Sequence, residues 1–150
     1  MEVIYFNKLT KASFPNNEIY TIGDFDGVHK GHQKLIKLTE DIAKSLSTGW
    51  GVITFVPNTK SFFNSKYRFL NSLEQKLNHF AKLKVPKVII IDFNQIYALT
   101  AAQFVKDYLI NYLNVKALAV GSNFKMGNDL VMLNSEVMQK EITEINKSIG

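Results

Sequence analysis

The chain has 150 residues, of which 46% are hydrophobic and 21% charged, the size and composition of one ordinary globular domain. It contains no cysteine, which excludes thiolate metal sites, iron–sulfur clusters, cysteine nucleophiles and disulfide frameworks. Its formal net charge of +5 favours anionic partners, but its single arginine argues against a nucleic-acid backbone. No apolar run could cross a bilayer and the start is not a signal peptide, so we expect a cytoplasmic protein with no membrane or nucleic-acid partner.

Apolar runs typical of buried strands alternate with segments of helical period. The predicted strands are 18–22, 51–55, 87–92 and 117–120, and the predicted helices are 31–47, 72–83 and 100–112. Ser72 with Gln75, and Thr100 with Gln103, have the spacing of capping boxes. The first helix has an apolar stripe composed of Leu35, Ile36, Leu38, Ile42, Ala43 and Leu46. Beyond residue 121 the pattern is weak, and 140–146 fits either a strand or a helix end.

Strands that alternate with helices indicate an α/β fold, in which a parallel sheet carries helices on both faces. Such sheets bind ligands beyond the carboxyl ends of their strands, where the strand order reverses. The functional site is therefore expected on the loops that follow Ile22, Phe55, Asp92 and Val120.

The loop 23–32, between the first predicted strand and helix, contains features that suit a polyphosphate. Gly23 and Gly27 let the backbone approach a ligand closely, and Gly31 leaves space at the helix start. The helix N-terminus attracts anions, and His29 and His32 at i, i+3 share one face of an opening turn. The loop matches neither the P-loop nor the dinucleotide-binding fingerprint.

The histidines do not predict a metal site. Two imidazoles need a third ligand, and the remaining histidine, His79, falls in the middle of a predicted helix. We expect His79 to be a partly buried or surface residue.

The loop resembles the signature of the prokaryotic FAD synthetases, the FMN adenylyltransferase modules of bifunctional riboflavin kinase/FMN adenylyltransferases in the H-x-G-H nucleotidyltransferase superfamily. The similar string is Gly23-x-Phe25-Asp26-Gly27-Val28-His29-x-Gly31-His32-Gln33-x-Leu35-Ile36. Further similar segments are Met1–Ile4, Thr54-Phe55-x-Pro57, Leu73-x-x-Lys76-Leu77, Phe93 to Val105, and Val120-Gly121-x-Asn123-Phe124-Lys125-x-Gly127. The resemblance implies a Rossmann-like sheet of about five parallel strands.

The resemblance also implies a reaction, in which AMP passes from ATP, accompanied by Mg²⁺, to FMN, giving FAD and pyrophosphate. The FMN phosphate is already an anion, so catalysis would depend on positioning and charge stabilisation. By resemblance His29 and His32 are catalytic and hydrogen-bond the ATP phosphates. The implied ATP-binding residues are Gly23, Asp24, Phe25, Asp26, Gly27, His29, Gly31 and His32. The implied FMN-binding residues are Pro57, Asn58, Asn123, Phe124 and Met126. Asp26 could either contact the ligand or orient the loop.

The chain departs from the family pattern at several points. Val56, Asn58, Thr59 and Met126 replace the family's usual residues on the FMN side. Residues 1–150 do not contain the S-S-S/T-x-I/L-R string that closes on the triphosphate in the family, and we expect no riboflavin kinase domain within them. We therefore expect residues 1–150 to be one FMN adenylyltransferase domain, truncated rather than a natural short form. Two alternatives stay open: a nucleotidyltransferase with another phosphorylated acceptor, and a nucleotide- or flavin-binding protein without catalysis.

Overall fold

The computed structural model describes residues 1–6, 18–25, 30–56 and 73–121, together with two short strands at 125–126 and 131–132. The strands are β1 (Glu2–Phe6), β2 (Glu18–Ile22), β3 (Trp50–Val56), β4 (Lys87–Asp92), β5 (Val115–Ala119), β6 (Lys125–Met126) and β7 (Val131–Met132). The helices are α1 (Lys30–Ser45), α2 (Leu73–Lys82), a short 3-10 turn (Phe93–Gln95), and α3 (Ala101–Gln103), which continues as a π-helix (Phe104–Tyr112).

The larger sheet has five strands in the order β1-β4-β3-β2-β5, and every pairing in it is parallel. This confirms the α/β, Rossmann-like prediction. Strands β2 and β4 begin and end where the sequence pattern places them, because runs such as Val88–Ile91 are apolar on both faces and suit a fully covered sheet. The strands β6 and β7 form a separate antiparallel pair.

Two hydrophobic clusters lie on opposite faces of the sheet. On one face Ile19, Val52 and Val88 pack with side chains of α1 and α2 such as Ile36 and Phe80. On the other face the π-helix contributes Phe104, Val105, Tyr108 and Leu109 against Ile22, Ile53 and Ile89. The sheet is therefore the middle layer of three, as the predicted alternation requires.

The predicted capping box at Thr100 is confirmed. The Thr100 hydroxyl accepts the Gln103 backbone N–H at 3.2 Å, and the Gln103 side chain accepts the Thr100 N–H at 3.0 Å. From Phe104 onward the helix is π-helical, which the sequence pattern did not indicate. The second predicted capping box involves Ser72, which lies outside the described residues.

The predicted apolar stripe of α1 is wrong at two positions. Leu38 and Leu46 are about half exposed, at 51% and 50%. The buried face consists of Ile36, Thr39 and Ala43, and Leu38 lies two residues, or about 200°, from Ile36. Leu46 follows the last helical residue and so leaves the stripe. Thr39 takes an interior place because its hydroxyl donates to the Leu35 carbonyl at 2.8 Å.

A polar cluster lies at the amino ends of the strands, the edge of the sheet opposite the predicted site. Lys87 Nζ bonds both Glu18 carboxylate oxygens, at 2.8 and 3.1 Å, and the Tyr20 hydroxyl donates to Glu18 at 2.5 Å. Burial, and then the hydrogen bond to Glu18, raise the pKa of Tyr20 far above its usual range. The hydrogen bonds between Lys87 and Glu18 link β4 to β2 across the intervening strand β3.

Across the described ranges, no helix has the length and apolar character that crossing a membrane would need.

Candidate nucleotide site at the end of β2

The strand order reverses at β2. The connection through α1 leads from β2 to its neighbour β3, whereas β5 returns to the other side of β2 after β4. The crevice at the carboxyl end of β2 is the place where open parallel sheets bind ligands. The residues that occupy it are Gly23, Asp24 and Phe25, so the predicted position of the site agrees with the topology.

Contacts to β3 and α2 hold the turn after β2. The Gly23 N–H extends the strand pairing by donating to the Ile53 carbonyl at 3.1 Å. The Asp24 carbonyl then accepts two side-chain hydrogen bonds, from Thr54 Oγ1 at 3.2 Å and from Lys76 Nζ at 2.5 Å. A carbonyl oxygen has two lone pairs, so both donors can be accommodated. The turn is therefore tied to two other elements of the fold.

Phe25 has a left-handed backbone conformation, with φ at 53°. For a bulky residue this geometry costs on the order of 1–3 kcal/mol and persists only where the surroundings impose it. Its ring is 2% exposed and meets the Phe80 ring edge-to-face, with the centroids 5.6 Å apart. An added Cβ on Gly23 would lie 3.4 Å from Phe25 Cε2, so the ring also closes over that glycine.

His32 packs on the same phenylalanine ring. The two rings are edge-to-face, with centroids 5.1 Å apart and an interplanar angle of 72°. His32 is half-buried in the first turn of α1, and its Nδ1 atom is buried. The position of the imidazole therefore depends on the left-handed turn at Phe25.

The N-terminus of α1 is electrostatically suited to an anion. The helix begins at Lys30, its first turn contains no acidic residue, and Gly31 is exposed. The first turn of an α-helix presents N–H groups that no carbonyl of the same helix accepts, and the helix dipole makes this end positive. This arrangement can bind phosphate.

Of the residues predicted for ATP binding, the structure brings together Gly23, Asp24, Phe25, Gly31 and His32. Three others, Asp26, Gly27 and His29, lie outside the described residues. Of the residues predicted for FMN binding, Pro57, Asn58, Asn123 and Phe124 also lie outside them, and Met126 lies in β6 opposite Val131. Within the described ranges, no three His, Asp or Glu side chains are close enough to hold a metal ion. His79 is half-buried on α2, as predicted.

Sequence reasoning missed the part that Thr54 and Lys76 play in this turn. Lys76 belongs to the family-like segment Leu73-x-x-Lys76-Leu77, but the sequence predicts no role for it at this turn, and it is only 4% exposed. Its position gives a signal, because Leu73, Lys76, Leu77 and Phe80 follow the i, i+3, i+4, i+7 pattern of a buried helix face. A lysine on such a face is unusual and indicates a specific partner in the interior.

Comparison with known proteins agrees with the motif. A sequence profile of the family described as FAD synthetase matches residues 11–146. The chain is 34% identical over 116 residues to a bifunctional riboflavin kinase/FMN adenylyltransferase of Buchnera aphidicola (Schizaphis graminum), covering 75% of this chain and 37% of the relative. A protein of the same description from Escherichia coli K12 is 35% identical over 112 residues, covering 73% and 36%. The chain thus spans little more than a third of the length of these relatives.

A solved structure shares the fold. The crystal structure described as a macrolide-efflux protein from Streptococcus pneumoniae superimposes with a TM-score of 0.77 at 22% identity, covering 94% of this chain and 55% of that one. At that identity the likeness concerns architecture alone. The profile match covers most of the sequence and includes the turn after β2, and the chain therefore belongs to the FAD synthetase family.

Proposed function

We propose that residues 1–150 form an FMN adenylyltransferase module that transfers AMP from ATP to FMN, giving FAD and pyrophosphate. The observation that carries the proposal is the strand–turn–helix unit at the reversal of strand order, in which Phe25 supports His32 beside the N-terminus of α1. Family membership supports FMN as the acceptor over another phosphorylated acceptor, and it supports catalysis over binding alone.

The reaction needs positioning more than proton transfer. An oxygen of the FMN phosphate attacks the α-phosphorus of ATP in line, and the bond from that phosphorus to the bridging oxygen of the β-phosphate breaks. Pyrophosphate leaves with the electron pair, so negative charge grows on the β- and γ-phosphates. Hydrogen-bond donors already aimed at those phosphates lower the barrier, because they need no reorganisation as the charge develops.

On the nucleotide side, His32 and His29 donate to the ATP phosphates. Because His32 Nδ1 is buried, we assign the donation to Nε2. The first turn of α1 supplies the positive end of the helix dipole, and Gly31, which has no side chain, leaves space there for a phosphate. Gly23, Asp24 and Phe25 contact the nucleotide through their backbone, since the Phe25 ring is buried in the protein. Asp26 and Gly27 complete this loop.

On the acceptor side, the proposed FMN-binding residues are Pro57, Asn58, Asn123, Phe124 and Met126. Sheet topology supports this assignment, because β3 and β5 flank β2 on either side. Pro57 follows the last residue of β3 and Asn123 lies shortly after β5, so both loops begin at the edge that carries the turn. The isoalloxazine would lie beside the nucleotide, at the same edge of the sheet.

Mg²⁺ enters as part of the substrate, bridging the ATP phosphates and coordinated mostly by them and by water. The two substrates of the reaction are then MgATP and FMN. We assign the reaction to the cytoplasm, where ATP is abundant.

The test mixes the protein with ATP, Mg²⁺ and FMN and measures FAD by chromatography. In His32→Phe the ring that packs on Phe25 is kept and the N–H donor is lost, so we expect FAD formation to fall about 10²–10³-fold. His79→Phe, a matched change on α2, should leave the rate within about twofold, as is usual for a position away from the chemistry.

Three outcomes would contradict the proposal. Product with another phosphorylated acceptor but none with FMN would overturn the acceptor. Binding of ATP and FMN by calorimetry without any product would overturn catalysis. Equal rates for His32→Phe and the unmodified protein would overturn the assigned role of the imidazole.

A further inference from the structure

The turn after β2 receives two side chains from one face of α2. Lys76 and Phe80 are four residues apart on this helix, so they lie one above the other. Both are buried, at 4% and 0% exposure, and both end on the turn: Lys76 on the Asp24 carbonyl and Phe80 on the Phe25 ring. The helix therefore holds two consecutive residues of the turn.

Stability alone does not account for a lysine at this position. Burial of an ammonium group is costly even when it is hydrogen-bonded, and an apolar side chain of similar length fills the same space without that cost. What an apolar side chain cannot do is donate a hydrogen bond to the Asp24 carbonyl. The orientation of this carbonyl fixes the peptide plane that leads directly into Phe25.

The contacts form a continuous path to the proposed catalytic imidazole. Lys76 and Thr54 hold the Asp24 carbonyl, which precedes the left-handed Phe25. The ring of Phe25 in turn packs against His32. A change in the Asp24–Phe25 peptide plane would move this ring and, with it, the imidazole.

We propose that Lys76 is a positioning residue for the adenylyl transfer, which acts through the Asp24 carbonyl to place the His32 donor and the first turn of α1 against the ATP phosphates. The inference rests on the proposed function of the site. It assigns to Lys76 no contact with substrate.

The kinetic test compares Lys76→Met, Lys76→Arg and Thr54→Val in FAD formation, with separate determination of kcat and KM for each substrate. Lys76→Met should lower kcat by about 10–100-fold, because a misplacement of about 1 Å can cost that much. It should raise KM for ATP several-fold and leave KM for FMN within about twofold. Lys76→Arg should restore most of kcat, since it keeps a cationic donor.

The double variant tests whether the two donors act through one carbonyl. If both act on Asp24, the kcat of Lys76→Met with Thr54→Val should depart by more than about threefold from the product of the separate effects, since residues that share a partner are coupled. If the kcat of the double variant lies within about threefold of the value obtained by multiplying the two separate effects, the shared path is overturned.

Two controls separate positioning from general destabilisation. Lys87→Met removes another largely buried lysine at the opposite end of the sheet, and Thr39→Val removes a buried hydroxyl that bonds a backbone carbonyl within α1. Both should lower the denaturation midpoint while kcat and both KM values stay within about twofold. If Lys76→Met behaves like these controls, Lys76 is structural and the proposal is overturned.

A second readout does not depend on activity. In the protein without substrate, Lys76→Met and Thr54→Val should shift the NMR resonances of the Phe25 backbone and the His32 ring, whereas Lys87→Met should not. If the unmodified protein makes no FAD, the proposed function fails while this comparison still tests the path. Unchanged Phe25 and His32 resonances in both variants would overturn the path itself, and Thr54→Val keeps this test available if Lys76→Met does not fold.

Discussion

Gly51 lies in β3, in the middle of the sheet, and we predict that replacing it by alanine strongly destabilises the protein. An added Cβ would lie 2.6 Å from the Lys87 carbonyl oxygen and 2.9 Å from Tyr20 Cε1. Ordinary contact begins at 3.4 Å, so the methyl group is 0.8 Å too close to the backbone oxygen. That oxygen belongs to the neighbouring strand and cannot move without disturbing the pairing of β3 with β4.

The expected cost follows from two contributions. Overpacking of a closely packed interior costs about 1–3 kcal/mol. Each strand hydrogen bond that is stretched in response contributes about 1 kcal/mol. With one stretched bond they give about 2–4 kcal/mol, a large share of the roughly 5–15 kcal/mol that stabilises a typical domain. At about 2–4 °C per kcal/mol for a chain of this size, the melting temperature should fall by about 10 °C.

Calorimetry or urea denaturation of Gly51→Ala measures the effect, and two further glycines provide controls for the same change. Gly121→Ala adds a methyl group that has no atom of the described residues within 4 Å, and it should alter the free energy of unfolding by less than about 0.5 kcal/mol. Gly49→Ala meets the end of the Glu18 side chain at 3.0 Å, and since that carboxylate can move, its effect should be intermediate. The reasoning would be refuted if the melting temperatures of Gly51→Ala and Gly121→Ala differed by less than about 2 °C, which corresponds to a difference of about 1 kcal/mol in the free energy of unfolding.

The remaining predictions concern the turn and the opposite edge of the sheet. Gly23→Ala should change the free energy of unfolding by less than about 1 kcal/mol, because the new Cβ just reaches contact with Phe25. The same change should slow FAD formation more than about tenfold, because the methyl group keeps the nucleotide away from the backbone. An unchanged initial rate would count against a close approach of the nucleotide to Gly23. Tyr20 keeps its proton in the folded state because its pKa is raised, whereas unfolded tyrosine ionises near 10, so stability should fall by up to about 1.4 kcal/mol per pH unit above pH 10. Urea denaturation at pH values from 9 to 11 should show that the free energy of unfolding falls less steeply with pH in Tyr20→Phe than in the unmodified protein. Equal slopes for the two proteins would argue against this role of Tyr20. Lys87→Met should cost about 3 kcal/mol by leaving the Glu18 carboxylate without its cation, and the paired change Glu18→Met with Lys87→Met should cost less; a double variant as unstable as the single one would contradict this.

The sequence alone predicted most elements of the fold. Strands 18–22 and 87–92 were predicted with their observed ends, and the Thr100 capping box was confirmed. These features depend on residues within a few positions of one another, and a buried parallel strand or a helix start has a composition that can be recognised without a partner. The alternation of strands and helices predicted a site on the loops after four strands, and the glycines and histidines then singled out the loop after β2.

The sequence also identified the turn that the structure places at the reversal of strand order, but not its internal support. The hydrogen bonds to the Asp24 carbonyl come from residues 30 and 52 positions away along the chain. The left-handed backbone of Phe25 is imposed by packing against α1 and α2. Local propensity opposes such a conformation for an aromatic residue, so only tertiary contacts could select it.

Burial of particular side chains was likewise decided by the tertiary structure. Leu38 fitted an apolar stripe yet is half exposed, while Lys76 is buried on α2 and Glu18 pairs with Lys87 beneath the sheet edge. Helical or strand periodicity indicates which residues could share a face. It contains no information about where the neighbouring layer ends or about which distant group can neutralise a buried charge, because both are determined only when β2, β3 and β4 come together. The order of strands and helices therefore follows from the sequence, whereas the contacts that support the site do not.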